Sequence, residues 1–131
     1  MKNLKIGDKV SIKRAFTSED VNAFALLTGD CNPVHFDEEY ASNTIFKKPI
    51  VHGPLVITII TTLFANNLPG PGTVYLSHDV KYFNPVYIND EITGTVEIID
   101  INEKEHIFVK TTCINQNGKI ILDGIARLKK Y

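Results

Sequence analysis

A chain of 131 residues, 44% hydrophobic and 22% charged, has the length of one domain and the composition of a globular one, which excludes a disordered or fibrous protein. Lys and Arg number 14 against 15 Asp and Glu, and the formal charge of −1 supplies neither a footprint for nucleic acid nor a strong pull toward an anionic membrane. The opening MKNLKIGDKV holds no signal-peptide core, and the longest apolar stretch, around 54–65, carries three threonines and is too short to span a bilayer.

Residues 9–16, KVSIKRAF, place Val10, Ile12 and Phe16 in alternation and predict a strand. Thr17 then serves as an N-cap with Asp20 three places later, a variant of the capping box. Val21, Phe24, Ala25 and Leu27 follow at helical spacing, and Thr28-Gly29 ends the run. Pro33 drives Asn32 out of the helical region, so residues 30–35 read as a turn. Asp37 caps a short helix through Glu38, Glu39, Tyr40 and Ala41, and residues 42–52 read as irregular. The next segment, HGPLVITIITTLFANN, has the β-branched content of a strand but the length of a helix. Gly53-Pro54 and Asn66-Asn67 bound it, and the spacing predicts a helix near 53–66, buried on nearly all sides. Strands are predicted over 72–83, 91–101, 105–115 and 119–129, with Gln116-Asn117-Gly118 as a hairpin signal whose Asn-Gly pair supplies positive φ.

Long antiparallel strands curling around one buried helix solve the burial problem, an α+β fold over a single domain, residues 1–131. One helix cannot cover both faces of such a sheet, so a homodimer that extends the sheet or covers an edge is expected. Cys31 and Cys113 show no CxxC spacing and are read as reduced thiols in a cytoplasmic protein. His35, His52, His78 and His106 are scattered, and no metal-ligand spacing is present.

The densest group of reactive residues is Thr28-Gly29-Asp30-Cys31-Asn32-Pro33-Val34-His35. The Asn-Pro pair can fold the chain so that the Asp30 carboxylate and His35 imidazole converge and hold a water between them, one accepting its proton while the other orients it. The alternative is that Asp30 caps the turn and His35 is a satisfied structural histidine. Gly53, at the start of the central helix, can offer a free N–H to a carbonyl or enolate oxygen, or can merely permit tight entry into the helix. His52 is read as a support for that turn. Thr61, eight residues after Gly53, lies near the same face, and its hydroxyl bonds either Asp30 or its own helix. Leu68-Pro69-Gly70-Pro71-Gly72 is a rigid turn, because its prolines lack amide donors and no Lys-Ser/Thr follows. Cys31 with His35 lacks a third orienting group, so Cys31 is read as inert rather than nucleophilic.

On these residues the sequence resembles the MaoC-like, (R)-specific enoyl-CoA hydratases. Their motif runs from an aromatic through S/T-G-D-x-N-P-aliphatic-H to a small residue. Here it reads Phe24, Leu27, Thr28-Gly29-Asp30-Cys31-Asn32-Pro33-Val34-His35 and Ala41. Pro49-Ile50-Val51-His52-Gly53, Leu68-Pro69-Gly70, Tyr75-Leu76, Phe83-Asn84-Pro85-Val86 and Asn89-Asp90 also look like the family, although glycine is more usual than Asn89. The resemblance implies a hot-dog fold, a long helix wrapped by a curved antiparallel sheet, with residues 17–48 as an overhang carrying the catalytic turn. It implies homodimers with sites near the subunit interface. Asp30 and His35 become the catalytic pair, Gly53 N–H the thioester-binding donor, and Asn32 and Thr61 supporting residues. Phe64, three residues after Thr61, either enters the acyl tunnel and favours short chains or packs in the core.

The implied activity is reversible hydration of trans-2-enoyl thioesters to (R)-3-hydroxyacyl thioesters in fatty-acid or polyester metabolism, with no metal, flavin or nicotinamide cofactor. The substrate carrier is CoA or acyl carrier protein, so a 3-hydroxyacyl-[acyl carrier protein] dehydratase is the nearest alternative. Lys47 and Lys48 either meet its phosphates or are plain solvated surface. A hot-dog thioesterase needs a carboxylate on or near the central helix, and residues 53–67 contain none. A non-catalytic acyl-thioester binding subunit fits poorly with the intact Asp30 and His35.

Overall fold

The computed structural model describes residues 3–131. Strand β1 (Lys9–Ala15) is followed by α1 (Ser18–Thr28), a single 3-10 turn over Pro33–His35, and α2 (Glu38–Ser42). Then come α3 (Gly53–Val56), α4 (Thr58–Asn66), and the strands β2 (Thr73–Tyr82), β3 (Glu91–Ile101), β4 (His106–Ile114) and β5 (Ile120–Lys130). The five strands form one antiparallel sheet in the order β1-β3-β4-β5-β2. Helix α4 lies against it, and the arrangement is the hot-dog fold of the α+β class.

Strand periodicity decides which face the sheet turns to the helix. Ile92, Val96 and Ile98 of β3 meet Ile107, Val109 and Cys113 of β4 and Ile121, Leu122, Ala126 and Leu128 of β5 in one buried cluster. Val56, Ile59, Ile60, Leu63 and Phe64 close it from the helix side. At Gly94 a methyl group would run into Ile59 Cγ2, so the helix seats on β3 there only because that position has no side chain.

The expected central helix is two helices. Ile57 stays helical at φ −65°, ψ −15°, but the Thr58 hydroxyl donates to Leu55 O at 2.6 Å and competes for a carbonyl that the ladder would use. Nor is this segment buried all round. Pro54, Thr62, Ala65 and Asn66 are exposed, because one sheet covers one side only. In α1, Val21 and Ala25 are buried as their spacing predicts, whereas Leu26 and Leu27 are 88% and 84% exposed. The hairpin after β4 differs as well. Only Gly118 takes positive φ, at 78°, while the Asn115 side chain accepts from the amides of Asn117 and Lys119. Cys31 is exposed and Cys113 buried, both as free thiols, and burial pushes the Cys113 thiol up to about 12.

Candidate active site

The turn after α1 is built by short polar side chains. Thr17 and Asp20 exchange both capping-box bonds and start α1, at 2.9 and 3.2 Å. Gly29 ends it in the left-handed region, φ 80°, and its N–H donates to Ala25 O. The Thr28 hydroxyl donates back to Phe24 O and accepts from Asp30 N, tying the turn to the helix end. Asp30 Oδ1 accepts from Asn32 N at 3.3 Å, and Asn32 Oδ1 accepts from Val34 N at 3.2 Å, which starts the 3-10 turn carrying His35. Asn32 itself is extended, at φ −56° and ψ 124°, as its place before Pro33 requires.

Asp30, His35 and His52 come together, each offering a side-chain atom within 4.8 Å of the others. One oxygen hydrogen-bonded to two groups at ~2.8 Å each spans such a gap. The Asp30 side chain is 44% exposed and His52 fully buried. His35 Nδ1 donates to Ile50 O at 2.7 Å. A carbonyl only accepts, so the neutral ring keeps its proton on Nδ1 and its lone pair on Nε2. Burial holds the His35 pKa below the ordinary 6.5, and the neighbouring His52 acts in the same direction; the Ile50 bond and the Asp30 charge oppose them. His52 Nε2 donates to Asp30 O at 3.1 Å and lies 4.0 Å from Asp30 Oδ1. Its ring stacks on His35, centroids 3.7 Å apart at 27°. His52 Nδ1 is buried with no partner, a condition that typically costs about 1–3 kcal/mol.

A metal suits this group badly. Ligands of one ion converge on a point about 2.0–2.2 Å from each, whereas lone pairs of stacked imidazoles lie in nearly parallel planes. His35 Nδ1 and His52 Nε2 are also already committed to carbonyls. The arrangement is fitted to moving a proton.

Gly53 follows His52 directly. Pro54 has no N–H, and the amides of Leu55 and Val56 both donate to His52 O, which leaves Gly53 N–H as the free donor of this helix start among the described residues. The Tyr82 hydroxyl donates to Gly53 O at 2.9 Å. Burial pushes that phenol up to about 12, with Cys113 and Tyr75 adding to the effect, so it remains a donor. A 620 Å³ cavity meets His35 and is lined also by Asn22, Lys47, Lys48 and Tyr87. A 320 Å³ cavity meets Gly53 and Tyr82, and the two have no lining residue in common.

The other expected site residues lie apart from this group. The Thr61 hydroxyl donates to Thr58 O at 3.3 Å, the bond within its own helix, rather than to Asp30. Phe64 is 3% exposed, its ring against Tyr75 and His78, and neither cavity includes it. Ile50 O and Tyr82 OH are anchors that sequence reasoning missed. A backbone carbonyl carries no sequence signal, and Tyr82 reads only as a strand aromatic.

The sequence matches the family model described as MaoC like domain over residues 3–118. It is 37% identical over 128 residues to an (R)-specific enoyl-CoA hydratase of Aeromonas caviae, covering 97% of this chain and 96% of the relative. It is 38% identical over 127 residues to a mitochondrial 3-hydroxyacyl-[acyl-carrier-protein] dehydratase of Arabidopsis thaliana, covering 94% and 75%. A solved (R)-hydratase from A. caviae involved in PHA biosynthesis superposes with a TM-score of 0.95, at 33% identity and 100% of both chains.

Proposed function

This chain belongs to the MaoC-like domain family, and we propose that it is a hydro-lyase of the (R)-specific enoyl-CoA hydratase type. The observation that carries the reading is the convergence of the Asp30 carboxylate and the His35 imidazole, beside a glycine with a free N–H. The thioester carbonyl makes C3 of a trans-2-enoyl chain electrophilic. Water held between Asp30 and His35 attacks C3, and the pair removes its proton. Charge moving onto the thioester oxygen is received by Gly53 N–H, and the proton is returned to C2. Water is added across the double bond with no net proton or electron, so the reaction consumes no flavin or nicotinamide. General acid–base groups contribute ~10²–10⁴ in rate and an oxyanion donor on the order of 10²–10³. Asn32 supports the turn, and Thr61, bonded to Thr58 O, supports its own helix. Phe64 packs in the core against Tyr75 and His78, and Phe64→Ala tests the acyl-limiting role expected of it: a shift toward longer chains supports that role and an unchanged profile rejects it.

The working unit we propose is a homodimer of single domains, residues 1–131, with the sheet extended across the β2 edge. Val74, Tyr75, Leu76, Tyr82 and Phe83 lie exposed on or just after that strand, and the outer side of the central helix is uncovered. A second copy would also enclose the space between the His35 and Gly53 cavities. No described helix is long and apolar enough to cross a membrane. The exposed Cys31 thiol suits a reducing compartment, and we assign the cytoplasm.

The test is hydration of crotonyl-CoA by the purified protein, with chiral analysis of the product and a parallel assay of thiol release. Formation of (R)-3-hydroxybutyryl-CoA supports the reading. Free CoA would make it a thioesterase, and inactivity of the homo-oligomer a binding subunit. The Arabidopsis relative motivates a matched crotonyl carrier-protein substrate, and a higher kcat/KM on that substrate would move the assignment to an acyl-carrier-protein dehydratase.

A further inference from the structure

His52 has no part in the water chemistry above, yet its side chain contacts both members of the pair. It is fully buried, with the rings of Phe24 and Phe36 at 4.8 and 5.7 Å and His35 stacked on one face. An all-carbon ring would fit such surroundings and leave no orphan, whereas the imidazole leaves Nδ1 buried without a partner. What the imidazole adds is one bond, Nε2–H to Asp30 O, and among the described residues Asp30 O receives no other.

We propose that His52 is a positioning residue for hydration: its N–H holds the Asp30 backbone while its ring face holds His35, fixing carboxylate and imidazole relative to each other. The proposal rests on the assignment of Asp30 and His35 as the water-activating pair. The chain path explains the economy of the device. Asp30 and His35 sit on a turn that projects from the sheet, and their own short bonds tie them only to neighbours in that turn, apart from the His35 bond to Ile50 O. His52 precedes Gly53 at the start of the central helix. One residue therefore ties the pair to the element that presents the oxyanion donor. Misplacement of reacting groups by about 1 Å can cost ~10² in rate.

Two substitutions separate the bond from the ring. His52→Phe keeps the stack and the burial but loses the donor, and His52→Gln keeps an N–H donor at similar reach but loses the ring. For hydration of crotonyl-CoA, His52→Phe should lower kcat by about 10²-fold while KM changes by less than about threefold. His52→Gln should recover at least about tenfold of that loss. Long-range ¹H–¹⁵N spectra of the wild-type protein should show His52 protonated on Nε2, with that proton slow to exchange, and His35 protonated on Nδ1. A His52→Phe enzyme with wild-type kcat, equal losses in both variants, or a wild-type His52 protonated on Nδ1 would overturn the proposal. If the wild-type protein fails to hydrate crotonyl-CoA, the functional reading falls while the spectra still decide the placement of His52.

Discussion

In the proposed mechanism His35 sets the pH response. To take a proton from water its Nε2 must be free, and burial favours the neutral ring. Hydration should therefore fall as pH drops through a pKa below 6.5 and be level by neutrality, read from kcat/KM against pH. A limb centred above 6.5 would remove His35 from the role of base. Gly53 offers a second test. His52, at φ −57° and ψ 132°, already has the conformation that precedes a proline, and a Cβ on Gly53 would meet the Tyr82 ring at an ordinary 3.4 Å. Gly53→Pro deletes the free N–H, and in a variant whose melting curve matches the wild type kcat should fall by on the order of 10²–10³. The pair itself was legible in the sequence because its turn is made by neighbours: Thr28, Gly29, Asn32 and Pro33 act within a few residues. The anchors were not, since Ile50 lies 15 residues from His35 and Tyr82 lies 29 from Gly53.

Elements whose boundaries are set by side-chain caps were legible to within a residue or two. Thr17 and Asp20 start α1 as their spacing requires, and Thr17→Ala should lower stability by about 0.5–2 kcal/mol in urea unfolding, without changing the slope. The four strands after the central helix followed from alternation in the same way. Two features depended on partners that alternation does not reveal. The division of the central helix at Ile57 coincides with the Thr58 hydroxyl bond to Leu55 O, and Leu27, apolar at helical spacing, faces solvent. The seat of α4 on β3 tests the packing directly. Gly94→Ala would press a methyl into Ile59, and thermal or urea unfolding should show a loss of roughly 1–3 kcal/mol. An unchanged stability would mean that the helix can withdraw from the sheet at no cost.

Taken whole, the chain leaves one sheet edge and one side of its central helix uncovered. Its sheet ends at β2 beside exposed Tyr75, Leu76, Tyr82 and Phe83, and His35 and Gly53 open into separate cavities. Sedimentation velocity should give a dimer, and Tyr75→Asp on the β2 edge should shift it toward monomer and lower activity together. A fully active monomer would place the whole site in one chain. The expectation of a second copy comes from a single helix facing a five-strand sheet, whereas which edge would meet it has no sequence signal. The proposed chemistry converges on a carboxylate and an imidazole that would share one water. Steady-state kcat/KM for crotonyl-CoA hydration by Asp30→Asn and His35→Ala, each with its melting curve, is the decisive measurement. Each variant should fold normally and lose at least ~10²–10⁴ in rate; near-native turnover in either folded variant would contradict the mechanism.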